Sequence, residues 1–322
     1  MRNYKIDNLK AILIFLVVLA HFFECFSGTL KYKAYLMIYM FHMPAFVFTT
    51  GYFAKPSIKN TLSKQLFPYI IFQILYTLMD GKTVFMPQKP YWILWYLFAC
   101  IGWTLSLYVV KKRYEIWLTV SIAVALFVGY FSEIGTTFSL SRMFCFYPFF
   151  LLGVWFKKIN IPNNRIFKIS GLFLLIVGFV AGYLLLPHLH TTWLYHSTGY
   201  ALNKSNIIVR AMLLSVGFVL TIALFLLVPD RKIKGITHIG KYTLCIFLLH
   251  GFAVNYSRHH MNPFIYSEGI NITLSVLFSA VLFYGLGNRF VFALLKPFTD
   301  FGFLIDKCRK IFTKRVKYDK IK

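Results

Sequence analysis

The most constraining feature of this chain is a series of ten apolar segments, each close to the length that crosses a lipid bilayer. Lipid supplies no hydrogen-bond partners for a bare backbone, so segments of this kind cross the membrane as helices. The sequence therefore predicts an all-α integral membrane protein, a bundle of about ten transmembrane helices. The predicted segments lie at residues 9–26, 34–54, 65–80, 91–110, 116–131, 143–156, 168–187, 207–229, 241–257 and 270–293.

Composition supports this class and limits the partners. Hydrophobic residues make up 58% of the 322 residues, and the mean hydropathy is +0.65, which is more apolar than a water-soluble domain of this size. The net charge of +25 comes from 35 Lys and Arg against 10 Asp and Glu, with the basic residues clustered in short loops and at the carboxyl end. We therefore expect membrane lipids with anionic headgroups as partners, and no nucleic acid.

The distribution of Lys and Arg predicts the orientation of the chain. With the amino terminus in the cytoplasm, 27 of the 35 Lys and Arg residues fall on the inner side, and every inner loop is basic. Both termini are therefore predicted to be cytoplasmic. Residues 1–322 are predicted to form a single membrane domain, whose basic tail from about 296 to 322 lies along anionic headgroups.

Three ionisable residues stand in or beside the first apolar segment, where a charge is costly and is retained mainly for function. Lys10 and His21 are eleven positions apart, close to three helical turns, so they share one face roughly 16 Å apart along the axis. Glu24 lies three positions beyond His21 and is its neighbour on that face. Because histidine exchanges a proton near neutral pH, His21 is a candidate general base, with Glu24 as the acid that orients it.

Four sequence blocks resemble the acyltransferase-3 family, in particular its compact branch of fucose 4-O-acetylase-like and bacterial polysaccharide O-acetyltransferases. The first helix of that family carries a basic residue, ten further residues and then a histidine. Lys10 and His21 match this spacing, with Lys in place of the more usual Arg. The other blocks are Phe41-His42-Met43-Pro44-Ala45-Phe46 with Gly51-Tyr52-Phe53, Ser141-Arg142 with Phe146 to Gly153, and Gly240 to Leu244 with Leu249-His250-Gly251.

The resemblance implies an enzyme that moves an acyl group, usually acetyl, from cytoplasmic acetyl-CoA to a sugar hydroxyl. The acceptor it implies is a cell-surface, capsular or exopolysaccharide glycan or its lipid-linked precursor, and the location is the bacterial cytoplasmic membrane. In such a reaction His21 takes the hydroxyl proton and Glu24 stabilises the imidazolium. No metal is expected, and the five cysteines have no spacing typical of a metal site or a disulfide framework.

Four further residues each have two interpretations. Lys10 either binds the phosphates of acetyl-CoA or anchors the helix at the interface. His42 either orients substrate or bonds a backbone carbonyl near Pro44, whose missing N–H disturbs the helix. Arg142 binds the glycan, an acidic group or the oxyanion, or extends along the interface. His250 binds substrate or bonds a neighbouring helix.

A transporter is the rival interpretation, specifically an exporter of a polysaccharide or a lipid-linked sugar. Transporters are typically built from repeated halves with matched broken helices. The sequence shows no such repeat, and the blocks in predicted helices one, two, six and nine do not pair with one another. A transferase therefore accounts better for His21 and Glu24.

Overall fold

The computed structural model describes residues 3–81, 84–111, 113–159, 161–162, 164–260, 267–307 and 309. Over these residues the regular structure is helical, with no strand, so the predicted all-α class is confirmed. The α-helices, in chain order, are α1 (Tyr4–Phe23), α2 (Thr29–Tyr39), α3 (His42–Phe53), α4 (Ile58–Thr61), α5 (Phe67–Met79), α6 (Trp95–Ser106), α7 (Tyr114–Phe127), α8 (Leu140–Phe156), α9 (Arg165–Leu185), α10 (Thr191–Tyr195), α11 (Tyr200–Asn203), α12 (Ile207–Leu227), α13 (Thr243–His260), α14 (Glu268–Leu286) and α15 (Arg289–Thr299).

Asparagine marks where several of the helices begin. Asn3, Asn164, Asn206 and Asn288 precede α1, α9, α12 and α15, and each side-chain oxygen accepts a hydrogen bond from a backbone N–H in the first turn. These N–H groups have no partner inside their own helix, so a short polar side chain at the cap satisfies one or two of them. Apolar segments are thus turned into helices with defined starting points.

Within the described part of the chain, six helical stretches are long and apolar enough to cross a membrane, and two further apolar helices are shorter. This agrees with a membrane helical protein, while the count of ten and the orientation of the termini stay predictions. The predicted segment 34–54 is one such stretch, but it breaks between α2 and α3. The six stretches are Tyr4–Phe23, Thr29–Phe53, Thr137–Phe156, Arg165–His188, Ile207–Leu227 and Glu268–Leu286.

Helix α1 lies at the centre of the bundle. It packs against α2, α3, α12, α13 and α14, and most of its side chains are buried. Helices α9 and α14 are largely exposed and present Leu, Ile, Val and Phe outward, as expected of surfaces that meet lipid. The ionisable residues of α1 are therefore surrounded by protein.

Helices α3 and α8 approach each other more closely than side chains would allow. A Cβ placed on Gly51 would meet the Phe150 carbonyl, and one placed on Gly153 would meet the Phe48 carbonyl. Small residues at such crossings let two backbones touch, which is a common way to join helices in membranes. This contact fixes α8, which begins with Arg142 in its first turn, against α3, which begins with His42.

The predicted basic tail is described only in part. Helix α15 exposes Phe290, Leu294 and Phe298 while carrying Arg289 and Lys296, so it has the amphipathic composition of a helix at a membrane surface. Residue 308 and residues 310–322 lie outside the described residues.

The close contact of α3 and α8 gives a stability prediction. Gly51→Ala introduces a methyl group where the Phe150 carbonyl already lies, and overpacking of this kind costs about 1–3 kcal/mol. We expect a lower thermal unfolding temperature for the purified variant in detergent.

Gly285→Ala is the matched control, because no atom lies near a Cβ at that position of α14. Replacing Gly by Ala in an open helix favours the helix by up to about 1 kcal/mol. Equal unfolding temperatures for the two variants would mean that α3 and α8 do not approach this closely.

Candidate active site

His21 and Glu24 meet at the carboxyl end of α1, as their spacing predicts. Nδ1 of His21 lies 3.2 Å from Oε1 of Glu24, and both side chains are largely buried. An ionised carboxylate only accepts hydrogen bonds, so Nδ1 of His21 carries the proton that it donates. This leaves Nε2 as the basic nitrogen of the ring.

The Glu24 carboxylate is held by groups from two other helices. Oε1 accepts hydrogen bonds from the hydroxyls of Tyr35 (3.0 Å) and Tyr39 (2.9 Å), both on α2. Oε2 accepts one from Nη2 of Arg258 on α13, at 2.9 Å. With three donors besides His21, Glu24 is stabilised in its ionised form in a largely buried position.

Of these residues, His21, Glu24 and Tyr39 border a cavity of about 250 Å³. Its walls come from α1, α2, α3, α6, α8, α10 and the turn before α6, so it lies where six helices converge. The lining residues are His21, Glu24, Tyr39, His42, Met43, Trp92, Ile93, Trp95, Arg142, Phe146, Leu194 and Tyr195. The cavity combines apolar and aromatic walls with a few convergent polar groups, which is typical of a substrate site.

His42 lies in this cavity and also makes the backbone contact that was its other interpretation. Its Nδ1 is 2.8 Å from the carbonyl oxygen of Ile38, in the last turn of α2. The carbonyl can only accept, so Nδ1 donates and Nε2 is an acceptor. This hydrogen bond fixes the His42 ring at the start of α3.

Arg142 also lines the cavity, close to the start of α8. Its Nε donates to the Tyr195 carbonyl at 3.2 Å, and its guanidinium carbon is 5.1 Å from the centre of the Trp95 ring. In the described structure no hydrogen bond involves its two terminal nitrogens. A buried cation with free donors of this kind is suited to a developing negative charge.

His250 lies against His21 but is absent from the lining of the cavity. The two rings stack with centroids 5.4 Å apart and an angle of 27° between their planes. Nδ1 of His250 is 2.9 Å from the Ile246 carbonyl, and Nε2 is buried with no partner among the described residues. The His250 ring on α13 therefore packs against the His21 ring.

Lys10 is separated from this group, as the length of α1 requires. It lines a second cavity of about 460 Å³ at the amino-terminal end of α1, together with Lys55, Gln65 and Tyr96. The two cavities share no lining residue within the described ranges. Phe46, Tyr96 and Phe247 also line the Lys10 cavity, with the Tyr96 ring 5.4 Å from each of the other two. We call them its inner wall, because Phe46 lies one turn after His42 and the Phe247 ring is 6.2 Å from the His250 ring.

Four residues of the site were not identified from sequence: Tyr35, Tyr39, Trp92 and Arg258. Tyr35 and Tyr39 share one helical face and precede His42, and Arg258 follows His250 by about two turns. These spacings are visible in the sequence. The sequence does not show that α2 and α13 both contact the carboxyl end of α1.

A family profile described as an acyltransferase domain matches residues 3–287. The chain belongs to the acyltransferase-3 family. The nodulation protein NolL of Mesorhizobium japonicum is 25% identical over 56% of this chain and 55% of that protein, so the chain spans about half the length of this curated relative. No solved structure matches the chain. Because the chain belongs to this family and has apolar helices long enough to cross a membrane, the protein is a membrane acyltransferase.

The ion pair between Arg258 and Glu24 gives a prediction for this acyltransferase. Arg258→Gln removes a charge-assisted hydrogen bond from the carboxylate that orients His21, and we expect acyl transfer by the purified protein to slow roughly tenfold. Arg258→Lys should recover part of the rate, because it keeps the charge.

Lys204→Gln is the control, since it removes an exposed positive charge from the loop before α12. The role of Arg258 would be refuted by equal transfer rates for Arg258→Gln and Lys204→Gln.

Proposed function

We propose that this acyltransferase is an O-acetyltransferase. It moves an acetyl group from acetyl-CoA to a hydroxyl of a cell-surface, capsular or exopolysaccharide sugar, or of the lipid-linked precursor. The observation that supports this most directly is the oriented pair of His21 and Glu24 beside a cavity in the centre of a helical bundle.

In the proposed reaction His21 acts first as base and then as acid. Nε2 of His21 takes the proton of the acceptor hydroxyl. At the same time the hydroxyl oxygen forms a bond to the carbonyl carbon of the thioester. The carbon–sulfur bond then breaks, and the imidazolium returns the proton to the thiolate, giving the ester and the free thiol. Glu24 keeps the ring in one tautomer and stabilises it while it is charged.

His42 and Arg142 are the groups proposed to act on the other reacting atoms. The terminal nitrogens of Arg142 stabilise the negative oxygen of the tetrahedral intermediate, and His42 accepts a hydrogen bond from the sugar through Nε2. Trp92, Trp95 and Tyr195 provide rings on which a sugar stacks. His250 acts through His21, whose ring it contacts.

The Lys10 cavity is proposed as the entrance for the donor. If the amino terminus is cytoplasmic, as the basic loops predict, this cavity opens toward the cytoplasm and the His21 cavity lies further across the membrane. Lys10 and Lys55 then meet the phosphates of acetyl-CoA at the entrance. The wall formed by Phe46, Tyr96 and Phe247 has to move for the thioester to reach His21.

His21→Ala and Glu24→Gln test the proposed chemistry. Loss of the base or of its orienting charge should lower turnover of acetyl-CoA roughly 10²- to 10⁴-fold, with the amount of protein in the membrane unchanged. His188→Ala, an exposed histidine outside both cavities, should keep full activity. Retained activity in His21→Ala would exclude the mechanism.

Mass spectrometry of surface glycans separates a transferase from an exporter. Glycans from cells that lack the protein should lose acetyl groups, and complementation with the unaltered chain, but not with His21→Ala, should restore them. Loss of exported glycan without any change in the mass of the remaining glycan would instead indicate transport.

Lys10→Ala tests the assignment of the donor entrance. Loss of a charged phosphate contact should raise the KM for acetyl-CoA roughly tenfold and leave the KM for the acceptor nearly unchanged. Lys59→Ala, which removes an exposed charge from the short helix α4, is the control. Equal effects of Lys10→Ala on donor and acceptor would support interfacial anchoring.

A further inference from the structure

Three buried polar atoms that have no hydrogen-bond partner among the described residues belong to residues beside the Lys10 cavity or against His21. Thr61 Oγ1 and Gln65 Oε1 belong to residues that line the Lys10 cavity, and His250 Nε2 belongs to the ring that stacks on His21. An unsatisfied buried polar atom costs roughly 1–3 kcal/mol, so native structures contain few of them. A ligand that carries hydrogen-bond donors could satisfy these atoms.

The local backbone at Gln65 is also unusual. Residues Leu62–Leu66 form a π-helical turn between α4 and α5, and such turns are frequent at functional sites. Nε2 of Gln65 donates to the Thr104 hydroxyl at 3.1 Å, which leaves Oε1 as the acceptor. The hydrogen bond to Thr104 thus holds the Gln65 amide in one orientation beside the cavity.

His250 lies where the route passes from one cavity to the other. The Phe247 ring, in the inner wall of the Lys10 cavity, is 6.2 Å from the His250 ring. Because Nδ1 of His250 donates to the Ile246 carbonyl, Nε2 has a lone pair to offer. An extended molecule that displaces Phe247 therefore meets this acceptor just before it reaches His21.

We propose that Gln65 and His250 bind the two amide N–H groups of the donor's pantetheine arm, with Gln65 on the amide farther from sulfur and His250 on the nearer one. The arm is a flexible chain with two amides between an anionic end and a thioester. That order matches the lysines and Gln65 of the Lys10 cavity, then His250 beside Phe247, then His21. This assignment rests on the proposed function and adds to it the residues that recognise the donor.

Three acetyl donors of different length test the assignment. Acetyl-CoA and S-acetylpantetheine carry both amides, whereas S-acetyl-N-acetylcysteamine keeps only the amide nearer to sulfur. Gln65→Leu should raise the KM for the two longer donors roughly 3- to 10-fold, the effect of one hydrogen bond, with kcat retained and the KM for the short donor unchanged. His250→Phe should raise the KM for all three donors.

Thr221→Val is the matched control. Its hydroxyl is also buried without a partner in the described structure, but Thr221 lies on α12 and lines neither cavity. It should leave all three KM values unchanged. Thermal unfolding of each variant in detergent establishes that the compared proteins are folded. If Gln65→Leu does not fold, Gln65→Glu replaces it. Because Gln65→Glu keeps an acceptor oxygen, its KM for S-acetylpantetheine should stay close to that of the unaltered protein.

The outcomes distinguish this assignment from the proposed function. An unaltered protein that turns over none of the three donors would refute the proposed function itself. If the unaltered protein turns over all three donors, two results would overturn the assignment of Gln65 alone. One is a Gln65→Leu variant with unchanged KM values, and the other is an equal rise in KM for the short and the long donors. A His250→Phe variant with normal KM for every donor would overturn that of His250.

Discussion

The free-energy cost of burying the Glu24 carboxylate inside a membrane protein is the main constraint on this structure. Glu24 lies at the end of a central helix, where an unpaired charge would be expelled from the bilayer or neutralised. It is retained because Tyr35, Tyr39, Arg258 and His21 all bond to it. Those partners come from α2, α13 and α1, so satisfying one carboxylate brings three helices to the same point.

The same interaction determines the chemistry of His21. A ring nitrogen bonded to an ionised carboxylate has to be the protonated one, so the other nitrogen carries the lone pair that the proposed mechanism uses. His42 and His250 follow the same logic with backbone carbonyls as partners. Three histidines from three helices are thus fixed in a single tautomer each, and only the one paired with a charge is equipped to stabilise its own protonated form.

Sequence alone gives the helical class, the family and the line of residues along α1, because each depends on local pattern. The eleven-residue step from Lys10 to His21 and the adjacency of Glu24 follow from helical geometry. It does not give Tyr35, Tyr39 or Arg258, since their importance arises where distant helices meet. Nor does it give the break between α2 and α3: the apolar run from 34 to 54 is continuous in composition, and Pro44 lies after the break. That Arg142 and His42 lie beside one cavity also depends on how α3 and α8 pack, which no local pattern shows.

The separation of the two cavities by Phe46, Tyr96 and Phe247 has a consequence for the cell. A protein that brought a cytoplasmic thioester and an external alcohol together through an open passage would also let protons and metabolites leak down their gradients. Under the proposed donor route, these three packed rings would close the path until a donor chain displaces them. An enzyme with such a route would work across an energised membrane without discharging it.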